Sequence, residues 1–278
     1  MLKESVDLLR VIEGQWYVDG TFGAGGHSAE ILNRGGKVLA LDKDPAAADH
    51  AQNFEGSDFK FKQSNFRNLA TILMNTGITN IHGVLLDLGV SSMQLEQPER
   101  GFSYRKNGPL DMRMGQIGTN AADLVNNATE AELAEIIYRY GEDQYSRRIA
   151  RTIVKARAIQ PIQSTESLRN LLEYAYPNKR RRSHPARKTF QALRIAVNDE
   201  LGALTDGINS AETVLSGGGR LVVLSYHSLE DRIMKRFLKQ SIDLQVVTKR
   251  PITASATEES SNPRARSAKL RAGEKVIA

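Results

Sequence analysis

Two stretches of the chain, Lys37 to Asp42 (KVLALD) and His82 to Leu88 (HGVLLDL), are too apolar to have a wet face, and each carries an aspartate at its end. Strands of that kind are buried on both sides, which requires helices above and below a parallel sheet. Gln15 to Asp19 and Phe59 to Gln63 read as two further strands. The segments between them carry helix start or stop signals: Ser28 to Arg34 ends at Gly35-Gly36, Pro45 to Phe54 opens with Asp44-Pro45, and Arg67 to Thr76 stops at Gly77. The resulting βαβαβαβ order predicts an α/β sheet with right-handed crossovers.

The alternation then breaks off for about a hundred residues, the length of a small domain. Thr129-Glu130-Ala131-Glu132 is a capping box for a helix to Tyr140. Tyr145 to Ala158 reads as a second helix, a third starts at Ser164 or Thr165, and Lys188 to Leu215 reads as one long helix. Strand logic resumes at Gly219 to Tyr226, followed by a helix capped at Ser228, then Leu244 to Lys249 and Ala268 to Ala272. Thr253 to Asn262 is expected to be a mobile loop. The predicted organisation is a discontinuous domain of residues 1–110 and 189–278 with a helical insertion at 111–188.

Charge follows the same division. The chain is +6 overall, yet Gln144 to Asn198 holds 13 Lys and Arg against Glu166 and Glu173, a local +11 that leaves −5 for the rest. A basic segment on an acidic body suggests a polyanion-facing surface, with Arg180, Arg181, Arg182, Arg187 and Lys188 as its densest part. The absence of cysteine rules out disulfides, thiolate metal sites and thiol nucleophiles. No apolar run approaches membrane-spanning length and no basic-then-apolar leader opens the chain, so a cytoplasmic location is expected, with no membrane partner and no metal.

The first predicted strand runs into Asp19-Gly20-Thr21-Phe22-Gly23-Ala24-Gly25-Gly26-His27 and then a helix. Glycines there let a ligand approach backbone N–H groups at the positive end of a helix. Asp42, at the end of the second strand, suits the two hydroxyls of a ribose. A dinucleotide fingerprint would need a third glycine where Ser28 stands, so S-adenosylmethionine is favoured over a nicotinamide cofactor. Phe66, just past the third strand, either stacks on an adenine or belongs to the core. Asp87 ends the fourth strand on the ligand side, Asp111 and Arg113 sit in an irregular stretch (Gly101 to Met114) that suggests a lid, and His227 follows the fifth strand as a general base, a stacking group or a cap. No G-x-S-x-G elbow supports a hydrolase.

Taken together, YVDGTFGAGGHS (Tyr17 to Ser28), LDKDP (Leu41 to Pro45), LLDLGVSSMQL (Leu85 to Leu95), ERGFSYRKNGPLDMRM (Glu99 to Met114), TFQALRIAVNDEL (Thr189 to Leu201), SYHSLEDRIMKRF (Ser225 to Phe237) and NPRARSAKLR (Asn262 to Arg271) resemble the ribosomal RNA small subunit methyltransferase H, or MraW, family. Met93 stands where the family commonly has Pro, and Asn107 where Asp is common. The resemblance implies a Rossmann-like class I S-adenosylmethionine-dependent methyltransferase sheet with an inserted helical domain. It also implies methylation of the N4 amine of a decoding-region cytidine in bacterial 16S rRNA, within the small ribosomal subunit. Carried over by position, the cofactor contacts are Gly25, Gly26, His27, Asp42, Phe66, Asp87 and Gln94. The proton acceptor stays open among Asp87, Asp111 and His227, and a homodimer stays open as well. Two rival expectations are a non-catalytic RNA-binding assembly factor and a nicotinamide-dependent oxidoreductase, which would have no use for the basic insertion.

Overall fold

The computed structural model describes residues 1–176 and 184–277, which divide into two compact units: residues 1–89 with 201–278, and residues 90–200. The first unit opens with α1 (Leu2–Leu9), β1 (Trp16–Asp19), α2 (Gly26–Asn33), β2 (Lys37–Asp42), α3 (Ala47–Ala51), β3 (Phe59–Gln63), α4 (Leu69–Thr76) and β4 (Ile81–Asp87). The second contains α5 (Ser92–Glu96), α6 (Ala121–Asn127), α7 (Glu130–Gly141), α8 (Ser146–Arg157), α9 (Thr165–Ala175) and α10 (Ala186–Asn198). The chain then returns with α11 (Glu200–Val214), β5 (Leu215–Ser225), α12 (Ser228–Gln240), β6 (Leu244–Val246), α13 (Ala256–Ser261) and β7 (Lys269–Lys275).

The seven strands of the described residues form one sheet in the order β3-β2-β1-β4-β5-β7-β6. The first five are parallel, and β7 joins β5 and β6 antiparallel. Alternate residues of the apolar strands feed opposite faces. Leu39, Leu41, Val84, Leu86, Leu221 and Val223 pack with α4, α11 and α12, whereas Val38, Ala40, Leu85, Val222 and Leu224 pack with α1, α2 and α3. This doubly wound sheet is the α/β fold expected from the two apolar runs, with the insertion between the fourth and fifth strands.

The helical unit has its own core, and that core explains why it begins and ends outside 111–188. Phe102, Leu110, Phe190 and Leu193 are buried with Leu133, Ile149 and Leu168, so residues 90–110 and 189–200 belong with the helices. Gly101 to Met114, expected as a lid, is instead anchored at both ends in this core, with Arg105 to Asn107 exposed between them. Leu110 and Met112 are fully buried, and Cβ atoms at Gly101 and Gly108 would collide with the backbone at Pro109 and Pro98.

The long helix expected over Lys188 to Leu215 is two helices. Asp199 adopts the left-handed conformation (φ 47°) between α10 and α11, which a short polar side chain tolerates. Asn198 beside it donates to the Met112 and Arg194 carbonyls and accepts from the Met114 N–H. The expected mobile loop Thr253 to Asn262 contains α13, capped by the Ser255 hydroxyl.

The double burial of β4 sets a stability test. Leu86→Ala should cost about 2–5 kcal/mol in urea denaturation, whereas Lys62→Ala on the exposed edge strand β3 should change stability by less than about 0.5 kcal/mol.

Candidate functional site

In a sheet whose strand order reverses between β1 and β4, the ligand crevice lies outside the carboxyl ends of those strands. β1 ends there at Asp19, whose buried carboxylate accepts from the Ser28 hydroxyl at 2.8 Å and the Thr21 N–H at 3.2 Å. The strand end is thus tied to the first turn of α2. Burial pushes the Asp19 pKa up, against the opposing effects of His27 and these hydrogen bonds.

The glycine turn is closed from the next strand. Asp42 accepts the Gly23 N–H on Oδ2 and the Asp44 N–H on Oδ1, both at 2.8 Å. Each oxygen keeps a second lone pair, and the side chain is only half-buried. Burial raises the Asp42 pKa and these backbone donors work against it. Gly25 caps α2 with φ 83°, and a Cβ there would lie 2.6 Å from the Phe54 ring. No other residue fits. Phe54 in turn stacks on Phe59 with ring centres 4.6 Å apart and meets Phe22 edge-on, so an aromatic bed supports the turn.

Asp87 ends β4. Its N–H donates to the Thr21 hydroxyl at 2.7 Å, and its Oδ1 accepts from the Tyr226 hydroxyl at 2.9 Å. His27 Nδ1 stands 3.9 Å from Asp87 Oδ2, while His27 Nε2 is buried with no hydrogen-bond partner among the described residues. Burial raises the pKa of Asp87, with His27 pulling it back. Burial and the neighbouring carboxylate push the Tyr226 phenol far above its ordinary value, so it remains a neutral donor. Sequence reasoning passed over Tyr226 and Thr21. The available signal was a hydroxyl-bearing residue at the carboxyl end of a strand beside the glycine turn.

The remaining expected residues are distributed as follows. Phe66 opens a 3-10 turn (Phe66–Asn68), and its ring lies against α11, where a Cβ on Gly207 would approach within 2.5 Å. His227, instead of Ser228, caps α12: its Nδ1 accepts the Glu230 N–H at 3.4 Å, and the Glu230 carboxylate accepts the N–H groups of Tyr226 at 2.8 Å and His227 at 3.2 Å.

In the helical unit, Gln94 forms a reciprocal cap with Ser91 at 3.0 and 3.2 Å. Asp111 is engaged by the Arg113 guanidinium at 2.6 Å and the Arg113 N–H at 2.9 Å. Burial alone would raise the Asp111 pKa, but these bonds outweigh it and hold the carboxyl below the usual range. Arg187 and Lys188 are exposed at the start of α10, with Lys188 Nζ donating to the Glu142 carbonyl at 2.6 Å. Arg180, Arg181 and Arg182 lie outside the described residues.

The arrangement in the first unit fits the cofactor that the resemblance implies. S-adenosylmethionine carries an amino acid end, which suits the glycine turn and the unpartnered His27 Nε2. Its ribose hydroxyls suit the remaining lone pairs of Asp42.

Comparison with known proteins gives the same reading. The sequence pattern of the MraW methylase family matches residues 1–276. The ribosomal RNA small subunit methyltransferase H of Deinococcus radiodurans is 53% identical over 275 residues, covering 99% of this chain and 88% of its own length. That of Caulobacter vibrioides is 46% identical over 292 residues, covering 98% and 93%. A putative rRNA-methylase structure from Clostridium thermocellum aligns over 99% of this chain and 96% of its own, with a TM-score of 0.48 at 14% identity. By the match from end to end and the identity to curated relatives, the chain belongs to the MraW methylase family of S-adenosylmethionine-dependent rRNA methyltransferases.

Proposed function

We propose that this chain transfers a methyl group from S-adenosylmethionine to the N4 amine of a decoding-region cytidine in 16S rRNA of the small ribosomal subunit, in the cytoplasm. The observation that carries the reading is the union, on adjacent strands, of a turn only glycine can make, the Asp42 clamp that closes it and a half-buried Asp87 beside them. A dehydrogenase lacks a reason for the basic insertion. A non-catalytic factor would have no need of the intact turn and its two carboxylates. Among the described residues no helix is long and apolar enough to cross a membrane.

Bound S-adenosylmethionine supplies a methyl group already activated by its sulfonium. What remains for the chain is to hold the cofactor, aim a weakly nucleophilic amine and take its proton. Asp42 would hold the ribose, Gly25, Gly26 and His27 the amino acid end, and Phe66 would complete the binding set of the first unit. Of the three candidate acceptors, Asp111 is engaged by Arg113 and His227 by its cap, which leaves Asp87. Tyr226 fixes one Asp87 oxygen, so the other is the one presented to the amine. Positioning of this kind is worth up to about 7–11 kcal/mol in favourable systems.

Three measurements check this. Asp42→Ala removes a charged acceptor worth about 1.5–3 kcal/mol and should weaken S-adenosylmethionine binding in calorimetry roughly 10- to 100-fold; an unaltered affinity removes Asp42 from the site. Methyl transfer should fall as pH drops through the raised pKa of Asp87, because only the carboxylate accepts a proton, and Asp87→Asn should abolish turnover at every pH. Mass spectrometry of small-subunit rRNA from cells lacking the protein should show one cytidine without its N4 methyl group; an unchanged methylation pattern rules the proposed substrate out.

A further inference from the structure

Several described arginines of the helical unit pair with carboxylates. Arg113 pairs with Asp111 at 2.6 Å, Arg169 with Glu166 at 3.1 Å, and Arg194 with Glu200 at 2.8 Å. Helix α8 departs from that habit. Arg147, Arg148, Arg151 and Lys155 are all exposed on it, and at 100° per residue they fall within one arc of about 100°. Ser146, Ile149, Ala150 and Ile153 are buried on the opposite side. Of these four, among the described residues, only Arg151 meets a carboxylate, that of Glu130 at 3.4 Å with both side chains largely exposed. Arg147, Arg148 and Lys155 have no side-chain partner among the described residues.

This face works against the helix that carries it. Like charges three and four residues apart repel one another. Arg147 and Arg148 also occupy the first turn, where no acidic residue stands and the helix dipole is itself positive. A bound polyanion relieves both effects together. The row extends over about 12 Å of helix, with cations on successive turns, which suits a sugar-phosphate strand better than a single phosphate.

We propose that the Arg147-Arg148-Arg151-Lys155 face of α8 is a phosphate rail that holds the backbone of the RNA substrate. The inference rests on the rRNA methyltransferase reading and assigns the backbone contact to the exposed face of α8. The contact is electrostatic and independent of base sequence. It therefore contributes affinity and a salt dependence, and leaves the choice of nucleotide to other residues.

The test uses the full chain and a 16S rRNA fragment spanning the decoding region, followed by fluorescence anisotropy over a salt series. The triple variant Arg147→Gln, Arg148→Gln and Lys155→Gln keeps good helix formers and removes three charges. Its log-log salt slope should be flatter by about 2, at roughly 0.7 per lost single-strand contact, and its affinity near 0.1 M salt lower by roughly 10- to 100-fold. S-adenosylmethionine affinity should not change. A second variant, Arg147→Lys with Arg148→Lys, keeps the charge and should keep the wild-type slope. If the glutamine variant binds with wild-type slope and affinity, or if the lysine variant loses as much as the glutamine one, the rail is overturned while the methyltransferase reading stands. If the wild-type chain itself does not bind the fragment but methylates no other RNA either, both are overturned.

Discussion

β2 and β4 are apolar on both faces, and a strand buried on both faces must be covered twice. Helices α4, α11 and α12 cover one side and α1, α2 and α3 the other. Parallel strands reach that state only through right-handed crossovers, which bring every carboxyl end to the same edge. Asp19, Asp42 and Asp87 are the last residues of β1, β2 and β4. Their assembly at one edge is thus a consequence of how the core is buried, not a separate event.

Three carboxylates so close to an apolar core would destabilise it without partners, since a buried charge needs hydrogen bonds. The partners here come from the backbone of the glycine turn and from side chains next to it. Gly23 and Asp44 donate to Asp42, Ser28 and Thr21 to Asp19, and Tyr226 to Asp87. The same bonds that compensate for desolvation also fix the turn, so stability and ligand geometry depend on one network. Removing one of these carboxylates therefore disturbs the loop as well as any direct contact.

The strand pattern and the glycine turn were legible because they are local. Apolar runs, glycine positions and caps act within a few residues, and Gly25, Asp42 and Asp87 follow from them. What was not legible depended on partners distant in sequence. Gly101 to Met114 has loop composition, yet Leu110 and Met112 are buried among helices that begin at residue 121. The break at Asp199 reflects Asn198 bonding back to Met112 and Met114, and nothing near Asn198 in the sequence announces those partners. His227 acts as a cap because Glu230 folds back on it, one residue earlier than the Ser228 pattern suggests.

By itself, the sequence determined the α/β class, the insertion after the fourth strand, the family and the basic character of the inserted segment, because periodicity, glycine placement, motif order and charge need no contact map. Tertiary structure alone decided what each candidate acid is bonded to, an arginine for Asp111 and a tyrosine hydroxyl for Asp87. Asp111 and Asp87 look equivalent as letters. Only packing reveals that Arg113 holds the first below its usual pKa while burial beside Tyr226 raises the second. A carboxyl group's proton affinity is set by the few ångströms around it, and those neighbours come from parts of the chain far apart in sequence.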